Sequence, residues 1–121
     1  MLSITPVDLL EKLFPARRKV AVDERVKAGI KAKTIYTREL GPFKEDINKE
    51  QLREGMYLTK ANLPIDMTIT IFPWGIKLFH LHEHKPFGVL IENKEIARNM
   101  RAVFNLAWEG AKNLSKNSET N

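Results

Sequence analysis

Ile96, Met100, Val103, Phe104, Ala107, Trp108, Ala111 and Leu114 recur at spacings of three and four, which places them along one stripe of a long amphipathic helix. Such a helix is marginal by itself and needs an apolar surface to lie on. The residues just before it supply one. Met67–Phe72 (MTITIF) and Ile76–His82 (IKLFHLH), joined by Pro73-Trp74-Gly75, read as a β-hairpin, and Phe87–Ile91, beyond Lys85-Pro86, reads as a third strand. Three consecutive strands imply an antiparallel region. The helix is expected to cover this sheet, in preference to forming the seam of a coiled-coil dimer.

The first half of the chain reads as alternating helices and strands. Thr5-Pro6-Val7-Asp8 has the form of a helix start, with a hydroxyl at the cap, proline at the first helical position and an acid in the first turn. That helix is expected to run to about Phe14 and to stop at Pro15. The basic stretch Arg17-Arg18-Lys19 leads into a second helical pattern that ends at Gly29, the residue type best suited to a left-handed C-terminal turn. Ile30–Thr37 (IKAKTIYT) alternates as a strand does. Beyond Gly41-Pro42, the polar segment from Lys44 to Glu54 reads as a surface helix capped by Gly55, and Met56–Thr59 as a short strand. The tail after Leu114 is polar and expected to fray. The order predicts an α/β fold, with a mixed β-sheet, a hairpin or meander, and a long C-terminal amphipathic helix packed on the sheet.

A chain of 121 residues, 43% of them hydrophobic, has the size and composition of one domain with a real core. Lys and Arg number 20 against 15 Asp and Glu, a formal charge of +5, which is compatible with a nucleic-acid partner without demanding one. The lack of cysteine excludes disulfides, thiolate metal sites and cysteine nucleophiles, and suits a reducing compartment. No apolar run approaches the roughly 18–20 residues of a membrane helix, and the start MLSITPVDLL lacks the basic-then-apolar order of a secretory signal. A soluble, cytoplasmic protein with no membrane contact is expected.

Few residues stand out as chemical machinery. His80, His82 and His84 alternate on a strand pattern and would share one face. Adjacent members of that row, roughly 7 Å apart, could hold one metal, but the outer pair, about 13 Å apart, cannot share it. A structural or solvent-exposed row is the simpler reading, so no metal site is assigned. The glycines are isolated, which removes a phosphate-binding loop, and Ser3, Ser115 and Ser118 lie near the ends. Glu45-Asp46 sits on the polar helix, where a solvated face explains it. Trp74, at the hairpin tip, is the aromatic expected to be exposed.

Three stretches carry a resemblance: ERVKAGIKAKTIYT, QLREGMYLTKANLPIDMTITIF and KPFGVLIENKEIARNMRAVFNLAWEGAK. The segment that holds them, Asp23 to Lys112, about three quarters of the chain, resembles the effector domain of the TrmB family of transcriptional regulators. Members of that mostly archaeal family join an N-terminal winged helix to a phospholipase D-like sensor half. The resemblance implies residues 1–22 as an N-terminal helix and basic linker, 23–114 as the effector domain, and 115–121 as a flexible tail. The winged helix and the family's sugar-binding portion have no counterpart in these residues, and the first strand of a phospholipase D-like half is expected to be missing or reduced to Val20-Ala21-Val22.

Phospholipase D enzymes place His-x-Lys, four residues and Asp on a strand, with histidine attacking phosphorus. Laid over the hairpin strand, those positions fall on Asp66, Thr68 and Pro73, so all three catalytic types are absent. His84-Lys85 has the wrong spacing to replace them. The resemblance thus implies no enzyme, no catalytic residue and no cofactor, but a cleft reused for sensing or dimerisation and lined by Asp66, Thr68, His80 and His82. It implies a homodimer, a small-molecule effector, and a winged-helix DNA-binding chain as a possible partner. Two other readings remain: a nucleic-acid binder using Arg17, Arg18, Lys19, Lys31 and Lys33, and a metal-binding protein using the strand histidines.

Overall fold

The structure, a computed structural model, describes residues 1–119, with side chains described as far as Ser115. Its elements run β1 (Leu2–Pro6), α1 (Val7–Leu13), α2 (Pro15–Lys27), β2 (Ala32–Thr37), α3 (Glu45–Glu50), β3 (Arg53–Leu58), β4 (Met67–Phe72), β5 (Gly75–His80), β6 (Phe87–Glu92) and α4 (Lys94–Glu119). The strands form one six-stranded sheet in the order β3-β2-β1-β4-β5-β6. Pairing is parallel from β1 to β2 and from β2 to β3, and antiparallel from β1 through β4 and β5 to β6. This is the expected α/β fold with a mixed sheet. Parallel neighbours need a crossover, and α1–α2 and α3 supply the two. Antiparallel neighbours need only a turn, and Phe72 faces Gly75 across the two-residue turn Pro73-Trp74.

Alternation along the strands divides the sheet into two unlike faces. On one, Ile35, Leu58, Ile71 and Ile76 are buried against Phe104, Trp108 and Ala111 of α4, with Leu2, Ile4, Met56 and Ile69 packed around them. The α4 stripe therefore covers the sheet, as its spacing predicts. Asn93 starts the helix by accepting the Ile96 N–H at 2.9 Å. Lys33 is on this same face, with its ammonium 4.2 Å from the centre of the Trp108 ring. Not all of the stripe is inside: Val103 is 56% exposed, and Ile96 and Leu114 are also exposed at its margins. No helix among the described residues is long and apolar enough to cross a membrane.

The N-terminal region differs from its sequence reading. The expected helix is present as Val7–Leu13, with Pro6 at its cap and Asp8 in its first turn, but Thr5 does not cap it: Thr5 and Pro6 end β1, which lies at the centre of the sheet between β2 and β4. The run LSITP is too short to reveal a period, and its strand character comes from partners on both sides: Ser3 faces Thr34 on β2 and Thr70 on β4. A strand thus precedes α1, and Val20-Ala21-Val22 belongs to α2. With β1 central, residues 1–22 are part of the same sheet unit as the rest. At the end of α2, Gly29 takes a φ of 71°, and the N–H groups of Gly29 and Ile30 return to the carbonyls of Val26 and Arg25, closing the helix as its glycine predicts.

Two other boundaries move. The polar helix is only Glu45–Glu50, and Gly55 is not its cap but a residue of β3. The chain enters that strand through Leu52, whose φ is 51°. Among the residues read as a tail, α4 continues through Glu119, because no proline or glycine follows Gly110 to end it; residues 120–121 lie outside the described residues.

Candidate functional site

The second face of the sheet is built from the other alternate residues: Ser3 and Thr5 of β1, Thr34 and Tyr36 of β2, Arg53 and Gly55 of β3, Thr68, Thr70 and Phe72 of β4, and Lys77 and Phe79 of β5. α1 and α2 cross over it and leave a cavity of about 240 Å³ between helices and sheet. The cause lies in α2, whose sequence PARRKVAVDERVK offers small apolar groups and arginines, not large side chains that would fill the space. Hydroxyls form the floor, where Ser3 and Thr34 are buried and hydrogen-bonded to each other at 2.9 Å. Arg17, Arg18, Arg25, Arg53 and Lys77 line the cavity, and among the described residues no aspartate or glutamate does.

The arginines are held by an aromatic pair. Gly55 leaves room for the Tyr36 ring, whose Cε1 would lie 2.8 Å from a Cβ at that position. Tyr36, 2% exposed, accepts the Phe43 N–H on its hydroxyl at 2.8 Å, and the two rings are 5.1 Å apart. Around the Phe43 ring stand the guanidinium carbons of Arg38 at 4.5 Å, Arg53 at 4.6 Å and Arg18 at 5.7 Å. Each cation gains something from the ring face. They also repel one another.

That repulsion is only partly offset by nearby acids. Among the described residues, Arg18 is the only one of the three with a carboxylate partner, Glu11 at 3.2 Å. Arg38 donates to the carbonyls of Gly41 and Pro42. Arg53 donates to the Gln51 side-chain oxygen through one nitrogen, while its Nη1 is buried with no hydrogen-bond partner. An unpaired buried donor costs roughly 1–3 kcal/mol. Burial, reinforced by Arg18 and Arg25, pushes the Arg53 guanidinium down to about 10, with Tyr36 opposing the shift. Burial also lowers Arg18, against the pull of Glu11 and with a further push from Arg38. It raises the Tyr36 hydroxyl, against the hydrogen bond from Phe43.

Arg25 has a structural task. Its guanidinium donates to the carbonyls of Ile30 at 2.8 Å and Gln51 at 2.7 Å, tying the end of α2 to the loop before β3. Burial lowers its pKa.

The residues singled out from sequence fall in several places. Asp66, His80 and His82 gather at one end of the sheet, with His80 Nε2 3.2 Å from Asp66 Oδ2 and the His80 and His82 rings 6.0 Å apart. Thr68 is opposite Phe79, and His80 is opposite Met67, so Thr68 faces the cavity while His80 faces the other way. The four do not line one cleft. The histidine row also breaks, because β5 ends at His80 and His82 Nδ1 accepts the N–H groups of His84 and Lys85 in a turn. Among the described residues, no group of three or more His, Asp or Glu is placed to hold a metal ion.

The basic set divides likewise. Arg17 and Arg18 reach the cavity, with Arg17 over the Phe79 ring at 5.7 Å. Lys19 is exposed, while Lys31 lines a separate groove beside β2 and β3, and Lys33 is against Trp108 on the far face. Trp74 is 41% exposed at the hairpin tip and stacks on Phe72. Arg38, Phe43 and Arg53 were not singled out from sequence. The available signal was the second period of the strands, which places hydroxyls on the face opposite the apolar core.

Comparison with family models, with curated proteins and with solved structures finds no match to this chain.

Proposed function

We propose that this chain is a ligand-sensing effector domain of a TrmB-like, cytoplasmic transcriptional regulator, without catalysis, and that its effector enters the cavity between α1–α2 and the sheet. The observation that carries this reading is that cavity, a partly open space between helices and sheet of one folded unit, lined by convergent polar groups. A ligand there touches the crossover helices and the sheet together. If it binds two arrangements of those helices with different affinity, it biases one over the other, which is all that sensing requires. The positions of a phospholipase D-type His-x-Lys…Asp constellation are held here by Asp66, Thr68 and Pro73, which favours a module that binds without turning over.

In this reading the module acts as a homodimer, with the winged helix supplied elsewhere in the regulator or by a partner chain. Light scattering coupled to size exclusion, with and without duplex DNA, tests the assembly, and a thermal-shift screen of metabolites tests the cavity. A dimer indifferent to DNA, stabilised by a small molecule, is expected. A monomer that comigrates with DNA only at low salt would instead favour direct nucleic-acid binding.

A further inference from the structure

We infer that the ligand of the cavity is an organic phosphate monoester, with its phosphoryl group at Arg18, Arg25 and Arg53 and its organic body toward Phe72 and Phe79; this rests on the ligand-sensing reading above. The charge count points to a dianion. Arg18, Arg25 and Arg53 line the same end of the cavity, and Glu11 matches only Arg18, which leaves two cations without a carboxylate partner among the described residues. A monovalent carboxylate would leave one of them unbalanced, whereas a phosphate dianion balances both. It also offers an oxygen to Arg53 Nη1, the buried donor that has no partner in the protein. Planar guanidinium groups suit this task because they bind phosphate oxygens through paired N–H donors.

The cavity extends past the arginines. Arg53 and Tyr36 stand on β3 and β2, while Phe72 and Phe79 stand on β4 and β5, on the far side of β1. Strands are spaced about 4.8 Å apart, so the two ends are separated by roughly 10–19 Å across the sheet. Free phosphate would occupy one end only. The hydroxyls of Thr34, Ser3 and Thr70 lie between the ends, and the aromatic rings at the second end offer an apolar surface to a ligand body. An organic phosphate therefore uses more of the site than the inorganic ion does.

Titration calorimetry on the full chain with phenyl phosphate, inorganic phosphate and phenol tests the assignment. Phenyl phosphate is expected to bind at least tenfold more tightly than inorganic phosphate, and phenol not measurably. Arg53→Met is expected to weaken phenyl phosphate at least tenfold while the circular dichroism spectrum is kept. A measurement on the unaltered chain stands beside it in case that variant misfolds: sulfate should compete with phenyl phosphate, and sodium chloride of equal ionic strength should change the affinity less than twofold. Equal suppression by both salts, or unchanged binding in a folded Arg53→Met, would overturn the proposal. Should the thermal-shift screen find only uncharged ligands, the phosphate assignment falls and the sensing reading stands; if no compound binds, both fall.

Discussion

The two faces of the sheet share the same strands but differ in almost every physical respect. Under α4, Ile35, Ile71, Ile76, Phe104 and Trp108 exclude water, and the Lys33 ammonium lies on the Trp108 ring. Under α1 and α2, the alternate residues are hydroxyls, arginines and isolated aromatics around a cavity. One face is packed for stability and the other holds uncompensated charge. Close-packed interiors lose energy when atoms are removed, whereas crowded like charges are relieved by removal or by a counter-ion. A protein of this size has stability to spare of only about 5–15 kcal/mol. The dry face must therefore carry most of the stability of the fold.

Substitutions on the two sides should separate these roles. Phe104 is 1% exposed at the centre of the dry face, and Phe104→Ala is expected to lose about 3–5 kcal/mol in urea unfolding. A loss below 1 kcal/mol would mean that α4 is not the main cover of the sheet. On the polar face, the largest structural loss is expected where a charge is tied to backbone. Arg25→Ala removes the donor shared by the Ile30 and Gln51 carbonyls and should cost about 2 kcal/mol. Arg25→Lys should restore little of it, because one ammonium does not provide the guanidinium's fork of donors. The smallest effect is expected at His80, which shares a sheet face with Ile76 and Leu78 but lies at the solvent-exposed end of β5 beside Asp66. His80→Ala should change unfolding by less than about 0.5 kcal/mol, since exposed pairs contribute little; a larger loss would extend the structural core to that end of the sheet.

Legibility in the sequence followed the range of the interactions involved. β4 begins and ends as its Met-Thr-Ile-Thr-Ile-Phe alternation predicts, α4 buries Phe104 and Trp108 as their spacing predicts, and Gly29 closes α2. Each of these depends on neighbours a few residues away. Thr5-Pro6-Val7-Asp8 marks the start of α1 but hides the strand before it, because β1 is held by pairing with β2 and β4, which are distant in the chain. Gly55 likewise has the local form of a helix cap, although it serves to admit the Tyr36 ring from the next strand. For the site, Thr68, Arg17 and Arg18 were among the residues singled out, but grouped with others that the fold sends elsewhere. The histidines drew attention by spacing alone, and the end of β5 at His80 dissolved that spacing.

The sequence by itself determined the meander, the long covering helix, the closing turn of α2 and the α/β class, because periodicity and turn chemistry are written within a few consecutive residues. Only the tertiary structure decided that β1 is central and that Arg18 from a helix, Arg38 from the loop after β2 and Arg53 from β3 meet around Phe43. The physical reason is that strand order, not position in the chain, determines which side chains share a face. Charge accumulates where pairing brings distant segments together, and no local pattern reports it.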